Sequence, residues 1–283
     1  MGLVKFFKAR LVRLHPLVIL GSVLGLIAFL LDPFEAPPAV YDAGKILLIF
    51  VCSILLIPYP VMQDRAFNLF GLNAPSWSLF WEYVANIFYA LILNRLPRPL
   101  LVVLAIVAAG GIIWVSNSAG NLLGGWSKDN FWHGGARIAY SFLAGMLIYR
   151  YNLIIQNKLG FALLTLILSL AFLMPYAGWN WLAEALVVLV YFPLIVSLGA
   201  GTSLSNSMTR ICVFSGEISY PLYMTHYAGI WIFGHYFTNK NPSTSELACV
   251  IVLGVIVLVA FAYAVMKRFD LPVRRWLMKK LMR

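Results

Sequence analysis

The sequence predicts an all-α fold, a polytopic transmembrane helical bundle of about eight crossings plus one re-entrant or broken segment. Three observations predict it. Hydrophobic residues make up 62% of the 283-residue chain and charged residues only 11%, with a mean hydropathy of +0.87. So little charge cannot cover a water-facing surface of this size. The apolar stretches approach the roughly 20 residues that a helix needs to cross a roughly 30 Å hydrocarbon core. They run continuously instead of alternating, which excludes a membrane barrel, and hydrocarbon offers the backbone of an open segment no partners.

Nine apolar segments can be read between turn signals, at about 14–31, 44–63, 77–94, 99–117, 136–150, 159–175, 180–199, 217–237 and 247–267. The first follows four basic residues, as a signal peptide would. It is long, however, and no small-residue cleavage site follows it, so it reads as a retained span. Asp32-Pro33 through Pro37-Pro38 closes it, and Asn73-Ala74-Pro75 interrupts the stretch before the third segment. Pro97 to Pro99, the Gly124-Gly125 and Gly134-Gly135 pairs, Pro175 and the Ser/Asn stretch 202–208 separate the rest. No internal repeat or low-complexity linker divides the chain, which reads as one domain over 1–283.

The formal charge of +11 is concentrated at the ends. Residues 1–13 and 267–283 together hold 11 of the 21 basic residues and one of the ten acids. Basic tails on an apolar body are what the positive-inside rule and anionic headgroups produce. Membrane lipid is therefore the expected partner, and nucleic acid is not needed to explain the charge. Both termini are expected to be cytoplasmic, in a plasma (bacterial inner) membrane. That orientation demands an even number of crossings, so nine segments cannot all cross. The aromatic-rich stretch 64–94, broken at Asn73-Ala74-Pro75, is the one expected to dip in. Cys52, Cys212 and Cys249 show no CxxC spacing, and the four histidines form no HxxxH or HExxH pair, so no metal is expected.

Ionisable groups inside apolar segments point to function, because hydrocarbon penalises them unless they are used or paired. Glu82 sits at an aromatic-rich helix start, where a helix dipole alone would also favour a carboxylate. Glu184 has the same dipole explanation, and Arg137 could snorkel to a headgroup. Arg10 and Arg13, spaced i and i+3, put two guanidinium forks on one helix face at the membrane surface. Such a pair suits phosphate better than lysines would, although simple anchoring also explains it. Ser219, Tyr220, Tyr223, His226 and Tyr227 form a polar-tipped stripe, either a site or part of an interfacial aromatic belt.

Gly216-Glu-Ile-Ser-Tyr-Pro-Leu-Tyr-Met-Thr-His226 resembles the G-x-I-S-Y-x-x-Y-x-x-H segment of the acyltransferase-3 family of membrane O-acyltransferases. Trp77-Ser78-Leu79-x-x-Glu82, followed by Phe88-Tyr89, is similar to that family's W-S-L-x-x-E segment. Arg10-Leu-Val-Arg13-Leu-His-Pro16 resembles its R-x-x-R-x-x-P element, with His15 where a tyrosine is usual. The span from Arg137 to Tyr149, with Phe142 and Gly145, is similar to its R…F-x-x-G span. Arg268-Phe-Asp270-Leu-Pro272 resembles its closing E-x-P, with Asp in place of Glu. The five segments occur in the family's order over nearly the whole chain.

The resemblance implies transfer of an acyl group, usually acetyl, from acyl-CoA to a hydroxyl of a surface carbohydrate or related metabolite. Acyl-CoA is then a co-substrate, and no cofactor is bound. An alcohol needs a positioned base to take its proton, and the oxyanion formed on the thioester carbon needs donors. The resemblance implies catalytic roles for Glu82 and His226 and donor binding by Arg10 and Arg13. It implies acceptor-binding or structural roles for Trp77, Ser78, Arg137, Ser219, Tyr220 and Tyr223. The family carries two further N-terminal spans with the histidine that acts as its base. A chain beginning at the R-x-x-R element lacks them, which implies impaired transfer by these residues alone. Two other classes stay open. One is a transporter or flippase of a polar metabolite using Glu82 and Glu184; the other is a non-catalytic remnant.

Overall fold

In a computed structural model, residues 2–281 are described; Arg283, counted above among the terminal basic residues, lies outside them. The protein is a membrane helical bundle, and no strand occurs among the described residues. Its helices are α1 (Leu3–Leu30), α2 (Ala43–Ile54), α3 (Ser76–Leu91), α4 (Arg98–Ala119), α5 (Phe131–Arg150) and α6 (Gly160–Phe172). They continue with α7 (Asn180–Leu186), α8 (Phe192–Gly201), α9 (Asn206–Lys240), α10 (Thr244–Val265) and α11 (Leu271–Leu281). A π-helical turn, Val187–Tyr191, joins α7 to α8, and another, Met266–Asp270, joins α10 to α11. Among the described residues, four continuous helical bodies are long and apolar enough to cross a membrane: Leu3–Leu30, Arg98–Ala119, Asn180–Gly201 and Thr244–Leu281.

The second apolar segment is shorter as a helix than its hydropathy suggests. Helix α2 has 12 residues, about 18 Å at 1.5 Å per residue. Asp42 caps its start by accepting the Lys45 N–H at 2.8 Å. Pro58 and Pro60 follow its end; each lacks an N–H and disfavours helix in the residue before it. The chain then stays irregular to Pro75, apart from a 3-10 turn at Gln63–Arg65. The broken segment therefore begins before residue 64, and Ser76–Leu91 is regular helix.

Contacts divide the chain into two compact units, Met1–Phe80 with Phe214–Arg283, and Trp81–Val213. In the first, α1 packs on α2 and α11. Phe29, Tyr41, Ile49, Met62 and Leu72 form one core cluster; Ile218, Ala262 and Met266 form another. Ser22 of α1 and Ser53 of α2 share a buried hydrogen bond of 2.8 Å between their hydroxyls. Asp270, in the motif near the C-terminus, is buried and bound by Arg274 one turn later, with Nε 2.7 Å from Oδ1.

In the second unit, α4 and α5 pair through Leu101, Ala105 and Leu143. The π turn before α8 has a local cause. Pro193 has no N–H for the carbonyl of Leu189, four residues back, and the Tyr140 hydroxyl donates to that carbonyl instead at 2.6 Å. Gly134 and Gly135 of α5 lie against the indole of Trp81, where an added Cβ would stand 2.5 and 2.9 Å from ring atoms. Arg150 ends α5 with its guanidinium on the carbonyls of Asn94 and Leu96, at 2.6 and 2.7 Å.

Candidate functional site

The first unit folds the irregular segment inward. Leu69, Phe70, Leu72 and Asn73 are each no more than 2% exposed, which is unusual for non-helical backbone. Burial is tolerable because the polar groups are met internally. Asn68 Oδ1 accepts the Phe70 N–H at 3.0 Å, and Arg65 donates to the Gly71 carbonyl at 2.9 Å. Two glycines of α1 admit this segment: a Cβ on Gly25 would stand 1.8 Å from the Leu72 carbonyl oxygen. One on Gly21 would stand 2.2 Å from Asn73 Nδ2, which reaches the Met224 carbonyl of α9 at 3.4 Å.

Around this buried turn the structure gathers several of the expected site residues. Tyr223 places its hydroxyl 2.7 Å from Ser78 Oγ and donates to the Pro75 carbonyl at 3.2 Å. Ser78 itself donates to Pro75 at 3.1 Å. Tyr220 donates to the Leu14 carbonyl of α1 at 2.6 Å, tying α9 to α1 one residue beyond Arg13. His226 is half-buried, with its ring 6.1 Å from those of Tyr223 and Tyr227. Its Nδ1 lies 3.1 and 3.0 Å from the carbonyls of Leu222 and Tyr223. A carbonyl only accepts, so Nδ1 carries the proton, and in the neutral ring Nε2 keeps the lone pair. Trp77 is half-buried on the first turn of α3. Ser219 is exposed and donates to the Gly216 carbonyl at 2.9 Å.

Arg10 and Arg13 lie in the N-terminal half of α1. The Arg10 guanidinium lies over the Phe6 ring at 5.5 Å, and Arg13 is exposed. Among the described residues no carboxylate pairs with either. Two charged forks on one helix face are thus available to an anion.

Glu82 and Arg137 belong to the second unit. Glu82 is half-buried one turn after Ser78 on α3, and its carbonyl accepts from Asn86 at 2.8 Å. No basic side chain pairs with Glu82 among the described residues. Arg137 donates to the Gly124 carbonyl at 2.7 Å and so holds the glycine turn that precedes α5. Glu184 accepts from the Asn180 amide and the Leu122 N–H, which makes it a clasp on the turn after α4.

Several polar groups in the first unit escaped the sequence reading. Arg65 is only 3% exposed, with its guanidinium 5.1 Å from the Phe29 ring and 4.3 Å from that of Trp231. Asp64 beside it accepts from the Tyr41 hydroxyl. Burial, then that hydrogen bond and the Asp64 charge, push the Tyr41 phenol up to about 12. Asp32, just past α1, meets His235 of α9 at 2.7 Å. An arginine inside an aromatic-rich broken segment was a usable signal for the first of these. Nothing local announces a pair 203 residues apart.

A family model described as an acyltransferase domain matches residues 1–266. A curated relative, "Protein 2 in picA locus" of Rhizobium radiobacter, is 34% identical over 92 residues, covering 30% of this chain and 48% of that protein. The match thus spans about half the length of that relative. No solved structure matches.

Proposed function

The chain belongs to the acyltransferase-3 family, whose model covers residues 1–266, and on that footing we propose that it moves an acyl group, acetyl in the first instance, from acyl-CoA to a hydroxyl of a surface carbohydrate or related metabolite. The observation that carries the donor half of this reading is the Arg10–Arg13 pair, two forks on one face of α1 without carboxylate partners among the described residues. Coenzyme A presents phosphates, which bidentate guanidinium forks bind better than point charges do.

Chemistry requires the acceptor oxygen to lose its proton as it attacks the thioester carbonyl. His226 suits a role on the acceptor: its Nδ1 is fixed on backbone, so Nε2 can accept from a hydroxyl. Tyr223 and Ser78, bonded to each other and to the Pro75 carbonyl, hold this stretch of α9 beside the start of α3, and Tyr220 anchors it to α1. Trp77 and the tyrosine faces give a sugar ring flat surfaces to pack on. Ser219 supplies a further hydroxyl. In the second unit, Glu82 is a half-buried carboxylate, and Arg137 supports its own helix start. The engagement of Glu184 with Leu122 and Asn180 supports a structural role for it over one in transport.

We further propose the plasma membrane of a bacterium as the location, with both termini cytoplasmic, so that Arg10 and Arg13 face the cytosolic coenzyme. Membranes containing the protein, given labelled acetyl-CoA, should yield alkali-labile label on carbohydrate that control membranes lack. Label that stays on the coenzyme, with the protein folded and in excess, would refute transfer.

A further inference from the structure

The helical body Thr244–Leu281 has 38 residues, about 57 Å at 1.5 Å per residue, nearly twice the roughly 30 Å hydrocarbon core. Charge marks where it leaves that core. Residues 247–266 hold no Lys, Arg, Asp or Glu and by themselves span about 30 Å. Residues 267–281 then carry Lys267, Arg268, Arg274, Arg275, Lys279 and Lys280 against Asp270. The same boundary falls on α1, where Lys5, Lys8, Arg10 and Arg13 precede a run, 14–31, with none of the four charged types. Helix α11 packs on α1, so two basic helix ends stand together at the level of the lipid headgroups.

Between them runs an apolar groove with a free volume of about 380 Å³, inside the range of about 300–1,000 Å³ usual for small-molecule sites. Leu11, Val12 and Ile19 line one wall and Val273, Leu277 and Leu281 the other; His15 is the one polar side chain in the lining. Steps of three and four residues make each wall a single helix face. Followed toward the N-terminus, the α1 face runs from Val12 to Lys8 and then Lys5, whereas Arg10 and Arg13 fall outside it. On α11, Lys280 comes three residues after Leu277, with its ammonium 5.0 Å from the centre of the Trp276 ring. Trp276 is 58% exposed, as suits an aromatic anchor at a membrane surface. Arg274 is already engaged by Asp270, but among the described residues no carboxylate pairs with Lys5, Lys8 or Lys280.

An apolar groove at headgroup depth is not filled by the bilayer's own hydrocarbon core, and leaving it to water is unfavourable. A molecule with an apolar tail and an anionic head matches both halves of the site. We propose that the groove between α1 and α11 binds one anionic phospholipid, with an acyl chain between the two walls and the phosphate held by Lys5, Lys8 and Lys280. The site lies on a different face of α1 from Arg10 and Arg13 and does not rest on the acyltransferase reading. Lipid seated there joins α11 to α1 in the folded state alone, and so stabilises that state by mass action.

The test uses the full chain in phosphatidylcholine nanodiscs with a trace of phosphatidylglycerol or phosphatidylcholine that carries a photoreactive group on its acyl chain. After irradiation, labelled peptides are mapped by mass spectrometry. Phosphatidylglycerol should label 11–19 and 269–281 about tenfold or more above phosphatidylcholine, since each lysine at an anionic surface contributes about fivefold. Unlabelled phosphatidylglycerol should raise the apparent Tm. Lys5→Gln/Lys8→Gln/Lys280→Gln should remove most of that excess, whereas Arg10→Ala/Arg13→Ala should keep it within about twofold. Leu277→Trp fills the groove and should abolish its labelling while the exposed face of α10 is still labelled. If Leu277→Trp does not fold, Leu281→Trp, 38% exposed at the rim, decides in its place. Equal labelling of the groove by the two lipids overturns the proposal, as does an excess that survives in the folded lysine variant. An excess lost as fully in the arginine variant also overturns it. A dimer in nanodiscs whose groove excludes both lipids gives the groove to a second copy and overturns it as well.

Discussion

Gly25→Ala adds one methyl group at the point where α1 meets the buried turn, 1.8 Å from the Leu72 carbonyl oxygen and 2.6 Å from its carbon. Both neighbours are backbone, so no side chain can swing away. Ordinary contact would require the Leu69–Asn73 turn to move by well over an ångström, and residues that are at most 2% exposed have nowhere to go. Overpacking of this kind costs about 1–3 kcal/mol, and the upper end fits a backbone clash. For a chain of this size about 2–4 °C is lost per kcal/mol, so the apparent Tm in detergent should fall by about 6–12 °C. Gly254→Ala in α10 is the matched control: nothing lies within 4 Å of the new methyl, and alanine is the better helix former by about 1 kcal/mol. It should be neutral or stabilising. Fluorescence-detected size-exclusion thermostability reads both. Equal Tm values for Gly25→Ala, Gly254→Ala and wild type would refute the packing of the turn against α1.

Tyr41 has a folded pKa of about 12 against an ordinary 10, so the folded state holds that proton more tightly than the unfolded chain does. Its contribution is fully present below pH 10 and is lost as pH rises to about 12; denaturation from pH 9 to 12 should show that loss in wild type and a smaller one in Tyr41→Phe. Cysteine labelling at positions 5 and 280 should show both sites protected from outside in intact cells, and labelling of either one contradicts the even number of crossings. Tyr220→Phe removes the bond to the Leu14 carbonyl and should cost about 0.5–1.5 kcal/mol in the same thermostability assay; no change would mean the α1–α9 tie carries no stability.

The helices were legible because continuous apolar runs bounded by Pro, Gly and Asn leave little choice of structure in a membrane. The extent of α2 was not: Ile57, Val61 and Met62 are apolar enough to read as span, and only the spacing of Pro58 and Pro60 says otherwise. The π turn before α8 was hidden for a similar reason, since Pro193 lies inside an uninterrupted apolar run and its effect depends on Tyr140, 49 residues from the carbonyl it satisfies. At the candidate site, the Tyr220–Tyr223–Tyr227 spacing marked one face of α9. Its partners, Leu14 and Ser78, lie 206 and 145 residues away and could be found only by folding the chain. Asp32, His235 and Arg65 each look ordinary in sequence, as a loop acid, a helix histidine and a basic residue near a turn. Their chemistry arises from burial and from one another.

Coenzyme A binding to the purified chain in nanodiscs, compared between wild type and Arg10→Ala/Arg13→Ala, tests the central claim that one face of α1 receives the acyl donor. A charge-assisted contact is worth about 1.5–3 kcal/mol, so loss of both forks should weaken binding by about 10²-fold or more, with wild-type thermostability and unchanged affinity for the acceptor. Coenzyme A bound equally well by the folded double variant, or both affinities lost together, would contradict the account.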